Sequence, residues 1–204
     1  MTLMAEDATT TKRGYDLRKR LENMDQTRQL VLHAARRQLE SEGYRQVTMA
    51  SLAAESGVTR QTIHNLFGSK SNVLETLFDS LAFDGGMERM RDVMQQRDPQ
   101  AMLQAFVHLF CDFWKDNRAL FRRIHGIGSI DPDLGAILQT RNQRRDGIAH
   151  RITKQYKIGR EVAVTAATLS ALTSFEFYDA LILSGQSEEE AKATIFKLAS
   201  HALV

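Results

Sequence analysis

Cysteine is nearly absent from this 204-residue chain: Cys111 stands alone, so no disulfide can form within it and a reducing cytoplasm fits best. Proline is almost as scarce, with two residues, and both follow an aspartate, as Asp98-Pro99 and Asp131-Pro132. Aspartate accepts hydrogen bonds from the free N–H groups of a helix start, and proline lacks one, so each pair marks a helix beginning. No stretch approaches the roughly 18 uncharged apolar residues of a membrane span. The polar segment from Met1 to Gly14 has no apolar core of the kind a secretory signal carries. Sustained period-two alternation, internal repeats and low-complexity segments are also missing, so the chain reads as all-α.

The marks of an enzyme are lacking as well. There is no Gly-rich phosphate loop, no zinc-type Cys/His spacing, and no G-x-S-x-G or H-E-x-x-H. No catalytic residue, cofactor or metal is expected. His108 and Cys111 lie one turn apart and come nearest to a metal set with Asp112 or His125, but a pair at that spacing is a weak signal.

What is present is an ordinary globular composition, 43% hydrophobic and 25% charged. The net charge of +2 conceals an asymmetry: residues 1–70 hold 11 Lys/Arg against 8 Asp/Glu, and residues 71–204 hold 16 against 17. A basic first third on a near-neutral body suggests a polyanion partner at one end. The helical pattern predicts Asp25–Glu42, Thr48–Ser56, Thr59–Phe67, and Ser69–Gln96 interrupted or bent near Gly85-Gly86. It continues with Asp98–Asn117, Arg118–Ile127, Asp131–Tyr156, Gly159–Ser184, and Ser187–Ala202 opened by a capping box at Ser187-Glu190. That makes about nine helices. Domains are expected at 1–22 (an arm, with or without a short helix at Tyr15–Asn23), 23–70 (a helix-turn-helix) and 71–204 (a ligand-binding and dimerisation body).

The segment from Thr48 to Phe67 carries most of the functional argument. Ala53 is small enough for two short helices to cross, and Gly57 tolerates the positive φ of a sharp turn. Leu52, Val58, Ile63 and Leu66 are spaced to close a small core. Thr59, Arg60, Gln61, His64 and Asn65 fall on the outward face of the second helix, which carries no acid. Arginine can bind guanine edges bidentately, and Asn or Gln can bind adenine.

Over Thr27–Leu77 the chain resembles the TetR/AcrR family of transcriptional regulators. The matching elements are Gly43-Tyr44, Val47-Thr48, Gly57-Val58-Thr59, the run Ile63-His64-Asn65-Leu66-Phe67-Gly68-Ser69-Lys70, and Leu74. The resemblance implies phosphate contacts from Thr48, His64 and Lys70, base contacts from Arg60, Gln61 and Asn65, and a capping role for Thr59. Helix N-termini present free N–H groups to phosphates, which suits Thr48 and Lys70. His64 stands where the family usually has tyrosine; it reaches less far and makes DNA affinity pH-sensitive. Leu66 replaces a frequent histidine, and Gly68 a stiffer residue. Lys12, Arg13, Arg18, Lys19 and Arg20 either follow the DNA as an arm or belong to a solvated tail.

The resemblance further implies a homodimer built on the helices at about 159–184 and 187–202, double-stranded operator DNA as partner, and a small-molecule effector in the body. Val162–Phe175 holds no charge, and Ala163, Ala166, Ala167 and Ala171 permit close helix approach. Candidate pocket residues are Met102, Phe106, Phe110, Phe113, Trp114, Phe121 and Phe175, with His125, Thr168 and Tyr178 as polar anchors; His108, Asp112 and Glu176 are further anchors. The expected function is a repressor released from a palindromic operator by its effector. The alternative is an effector-independent structural or cell-cycle factor on the same fold, which a filled core between the middle helices would favour. The sequence does not distinguish repression from activation.

Overall fold

The computed structural model describes residues 5–41, 43–128, 131–156 and 161–203, with side chains from residue 19 onward. It is helical throughout, without strands among the described residues, and divides into two compact units, Met1–Leu77 and Phe78–Val204.

In the first unit α1 spans Ala5–Ser41, a single 3-10 turn spans Tyr44–Gln46, α2 spans Met49–Ser56 and α3 spans Arg60–Phe67. Helix α4, Lys70–Asp84, continues past the division between the units. Helix α1 buries Val31, Leu32, Ala35 and Leu39, a helical stripe that meets Tyr44, Val47, Leu52, Ile63, Phe67 and Leu74 in one small core. Of the four residues expected to close that core, Leu52 and Ile63 are fully buried. Val58 and Leu66 are half-buried, and Phe67 takes the inner position instead. Where the composition suggests an arm through residue 22, the backbone is already helical from Ala5. The side chains of Lys12, Arg13 and Arg18 lie outside the described residues, and Lys19 and Arg20 are exposed.

The second unit continues after Gly85-Gly86 with a 3-10 turn, Met87–Arg89, and a short α5, Met90–Val93. Then come α6 (Pro99–Asp116), α7 (Arg118–Gly128), α8 (Pro132–Gln155), α9 (Val162–Leu172), α10 (Phe175–Leu183) and α11 (Glu188–Ala202). The starts follow the sequence signals closely. Asp98 caps α6 through Gln100 and Ala101, Asp131 caps α8 through Leu134, and Ser187 with Glu190 forms the expected capping box on α11. Helix α8 packs along α9, α11 along α6 and α9, and α7 against α8.

Two breaks raise the count from the expected nine or so to eleven among the described residues. The first is at the glycine pair, where Gly86 adopts φ 72° and a Cβ on Gly85 would stand 2.6 Å from Phe113 Cδ2. The second divides the long helix expected over 159–184, whose first two residues lie outside the described ones. Ser174 is extended (φ −73°, ψ 159°) and caps α10 by accepting from the Phe177 amide. Neither glycine nor proline marks this break. The Thr173 hydroxyl bonds back to Leu169 O, and Trp114 Nε1 donates to Thr173 O at 3.0 Å, so the buried indole finds its acceptor at the break.

Candidate functional site

The helix-turn-helix is built by local chemistry. Thr48 caps α2 in a reciprocal box: its hydroxyl accepts from the Ser51 amide, and Ser51 Oγ accepts from the Thr48 amide at 2.9 Å. Ser51 Oγ also lies 2.9 Å from Oε1 of the buried Gln38, which ties the start of α2 to α1. Gly57 ends α2 in the left-handed region, at φ 70° and ψ 9°. Two residues later Thr59 caps α3 by accepting from the Thr62 amide at 3.1 Å. The turn is short because one residue reverses the chain and the next available hydroxyl restarts it.

Helix α3 buries Ile63 and Phe67 and exposes Thr59, Arg60, Gln61, His64 and Asn65 on one continuous side. Gln61 Nε2 donates to Asn65 Oδ1 at 2.9 Å, one helical turn apart. The pair leaves the Gln61 carbonyl as an outward acceptor and the Asn65 amide as an outward donor, the combination an adenine edge requires. At the first position of α4, Lys70 is half-buried and holds Nζ 3.6 Å from the Tyr44 ring centroid. The ring holds the ammonium by cation–π attraction.

Sequence reasoning missed Arg28. From α1 it donates through Nη2 to Leu66 O at 3.0 Å, and its guanidinium lies 5.1 Å from the Phe67 centroid. It thus satisfies a carbonyl at the C-terminal end of α3 and places positive charge where the helix dipole favours it. No local motif announces such a contact, because its partner lies 38 residues away.

The second unit contains a cavity of about 250 Å³. Five of the expected residues line it: Phe110, Phe113, Trp114, Phe121 and His125. Their rings form a connected set, with Trp114 4.9 Å from both Phe113 and Phe121, centroid to centroid. Met102, Phe106, Phe175 and Tyr178 do not line it. All four are packed in the core, each 3% exposed or less, since their positions on α6 and α10 turn them to neighbouring helices. Thr168 is on the outer face of α9, its hydroxyl bonded to Val164 O.

The rest of the wall was not singled out in the sequence. Phe78, Asp79 and Ala82 come from α4, Met87 and Met90 from the segment after it, and Leu138, Arg141, Arg145 and Ile148 from α8. Arg141 Nη1 meets Asp79 Oδ1 at 2.6 Å, and Arg144 approaches the same oxygen at 3.6 Å. Arg145, 7% exposed, donates to Asn142 Oδ1 at 3.0 Å and lies 3.4 Å from Ser170 Oγ. Burial pushes its guanidinium below the ordinary arginine range, opposed by the charges of Asp146 and Glu176.

The other expected anchors have local partners. His125 Nδ1 lies 2.6 Å from Glu176 Oε1, and that hydrogen bond holds the Glu176 carboxyl down at about 2. Lys192 bonds Asp112 at 2.8 Å and Glu189 at 3.1 Å. Burial lowers the Lys192 ammonium, but these two carboxylates outweigh it and the net direction is upward. His108 and Asp112 face a second hollow, also bordered by Arg89 and Asp92. Cys111 is buried, and desolvation pushes its thiol up to about 12.

Two capped helices crossing at a left-handed glycine, the second with a polar, acid-free outer face, define a helix-turn-helix DNA-binding protein. Residues 31–77 match the bacterial regulatory proteins of the tetR family. The chain is 26% identical over 176 residues to the HTH-type transcriptional regulator TtgR of Pseudomonas putida, covering 81% of this chain and 83% of that one. It is 32% identical over 82 residues, 40% of each chain, to the HTH-type transcriptional regulator BetI of Agrobacterium fabrum. In fold it matches a TetR-family regulator from Syntrophomonas wolfei with a TM-score of 0.74 at 17% identity, covering 88% of this chain and 95% of that one. Residues 31–77 thus match the DNA-binding domain of the tetR family, and over most of its length the chain is similar to a transcriptional regulator. No described helix is long and apolar enough to cross a membrane.

Proposed function

We propose that this regulator is a cytoplasmic repressor that binds a palindromic operator as a homodimer and is released when a small molecule fills the cavity of the second unit. The observation that carries the reading is the composition of α4. The same helix begins at Lys70, directly after α3, and brings Phe78, Asp79 and Ala82 into the cavity wall. Asp79 lies nine positions after Lys70 on this helix, a rise of about 13 Å. A ligand seated against Phe78 and Ala82 acts on the helix whose first residue is Lys70.

Arg60, Gln61 and Asn65 read base edges in this account, while Thr48, His64 and Lys70 hold phosphates and Thr59 caps the reading helix. The domains run over 23–70 for DNA and 71–204 for ligand and partner, with 1–22 preceding them. An open cavity favours an effector-responsive protein over an effector-independent one. The ligand shifts the equilibrium between DNA-binding and released states only by its differential affinity for the two.

The dimer reading is supported by the outer face of α9. Ala163, Val164, Ala167, Thr168 and Ala171 are all exposed and uncharged, at helical spacing, with Val164 69% exposed. Leu183 and Leu198 extend the exposed apolar surface to α10 and α11. Ala166, by contrast, is buried within the unit.

Selection from a random duplex library with the full-length protein tests the DNA half of the reading. The expected winner is palindromic, with half-site centres a helical turn of about 34 Å or a multiple of it apart. Enrichment of no sequence, with binding lost at physiological salt, would refute it.

A further inference from the structure

The cavity wall is unevenly charged, and the imbalance points to the chemistry of its ligand. Three arginines of α8 border it, Arg141, Arg144 and Arg145, against one carboxylate, Asp79. Asp79 is already engaged by Arg141 and approached by Arg144. Arg145 differs from both. It is 7% exposed, and its recorded hydrogen-bond partners, Asn142 Oδ1 and Ser170 Oγ, are neutral oxygens. Among the described residues no carboxylate is paired with it. Asp146 and Glu176 act on it only at a distance, and Asp146 is bonded to the Ser170 hydroxyl, which donates to Asp146 Oδ1.

A guanidinium carries five N–H donors in a planar fork that matches a carboxylate or sulfonate. Holding such a group out of water beside apolar rings, without a directly paired anion, is strongly unfavourable. The remaining wall is apolar and largely flat: Phe110, Phe113, Trp114 and Phe121 face Leu138 and Ile148. A cation would meet three guanidiniums and no unengaged acid. A neutral ligand would leave Arg145 still without a directly paired counter-charge.

We infer that the cavity takes an organic anion, with an aromatic or flat apolar body against the Phe110–Phe121 rings and an acidic head on Arg145. This rests on the reading of the cavity as the effector site. The ligand supplies the directly paired anion that Arg145 lacks. Asn142 and Ser170 hold the fork in place, so the head meets a preorganised donor pair rather than a mobile side chain.

The test uses the full-length protein and two probes of one shape, 2-naphthoate and the uncharged 2-naphthylmethanol. Binding is read by calorimetry and by quenching of Trp114, the single tryptophan, which stands in the wall. The wild type is expected to bind the acid at least tenfold more tightly than the alcohol. In Arg145→Met that ratio should fall to within twofold of unity, while Arg151→Met, an exposed charge removed from the same helix, should retain it. Arg145→Lys, which keeps charge but loses the fork, should fall between. Circular dichroism identifies a variant that fails to fold, and the wild-type ratio decides the question without any variant. Equal binding of both probes to the wild type overturns the anion inference and leaves the effector cavity standing. Binding of neither probe overturns both.

Discussion

Replacing Gly57 with alanine isolates the conformational requirement of the helix-turn-helix. The residue sits at φ 70°, and no atom lies within 4 Å of where a Cβ would stand. Steric collision therefore contributes nothing, and the cost is that of placing an L-residue in the left-handed region, about 1–2 kcal/mol. Asparagine tolerates that region better, so Gly57→Asn should cost about half as much. Gly147 provides the opposite case. It lies exposed within α8, without positive φ and with equally open surroundings. The same glycine-to-alanine change there should stabilise by about 0.5–1 kcal/mol, because alanine loses less backbone freedom in a helix. Urea denaturation followed by far-ultraviolet circular dichroism measures both. Amide exchange assigns each effect to its own unit, in α2 and α3 for Gly57 and in α8 for Gly147. Gly57→Ala with wild-type stability, or two substitutions of the same sign, would refute the left-handed turn as the element that sets α3.

Other consequences are as specific. Cys111, with its thiol raised to about 12 by burial, should resist a maleimide or disulfide reagent at pH 8 and react promptly once the second unit is unfolded. Glu176 is held at about 2 by His125, so the stability it contributes is present above the unfolded carboxylate value of about 4.5. That stability should fade as pH falls from there toward 2. Acid titrations of Glu176→Gln should lack this component, and a curve identical to wild type would contradict the pairing. Ala167→Glu, which places a charge in the exposed stripe of α9, should convert dimers to monomers in analytical ultracentrifugation; an unchanged sedimentation coefficient would move the interface elsewhere.

The parts legible in the sequence are those fixed by neighbours along the chain. Thr48, Gly57 and Thr59 set the two helices of the helix-turn-helix through contacts within three or four residues. The Asp-Pro pairs and Ser187 likewise place helix starts to within a residue. What escaped depends on distant partners. Thr173-Ser174 reads as uninterrupted helix until Trp114, 59 residues away, takes the freed carbonyl. Met102, Phe106, Phe110 and Trp114 share one helix and similar chemistry, and only the packing of other helices decides which of them borders open space. Arg141 and Arg145 belong to a charged run that reads as a solvated face. A signal was nevertheless present: Leu138, Arg141, Arg145 and Ile148 recur at helical spacing, which puts both arginines on an apolar side of α8.

Whether α3 reads bases while Lys70 holds a phosphate is decided by one titration. Fluorescence anisotropy of the selected duplex, and of duplexes changed one base pair at a time, is followed across salt for wild type, Arg60→Ala and Lys70→Ala. Lys70→Ala should weaken every duplex alike and reduce the salt slope by about 1 per subunit. Arg60→Ala should cost about 1–3 kcal/mol on the preferred duplex and relax selectivity at one base position of each half-site. If both substitutions weaken all duplexes equally, or neither changes affinity, α3 does not read the operator and the assignment is wrong.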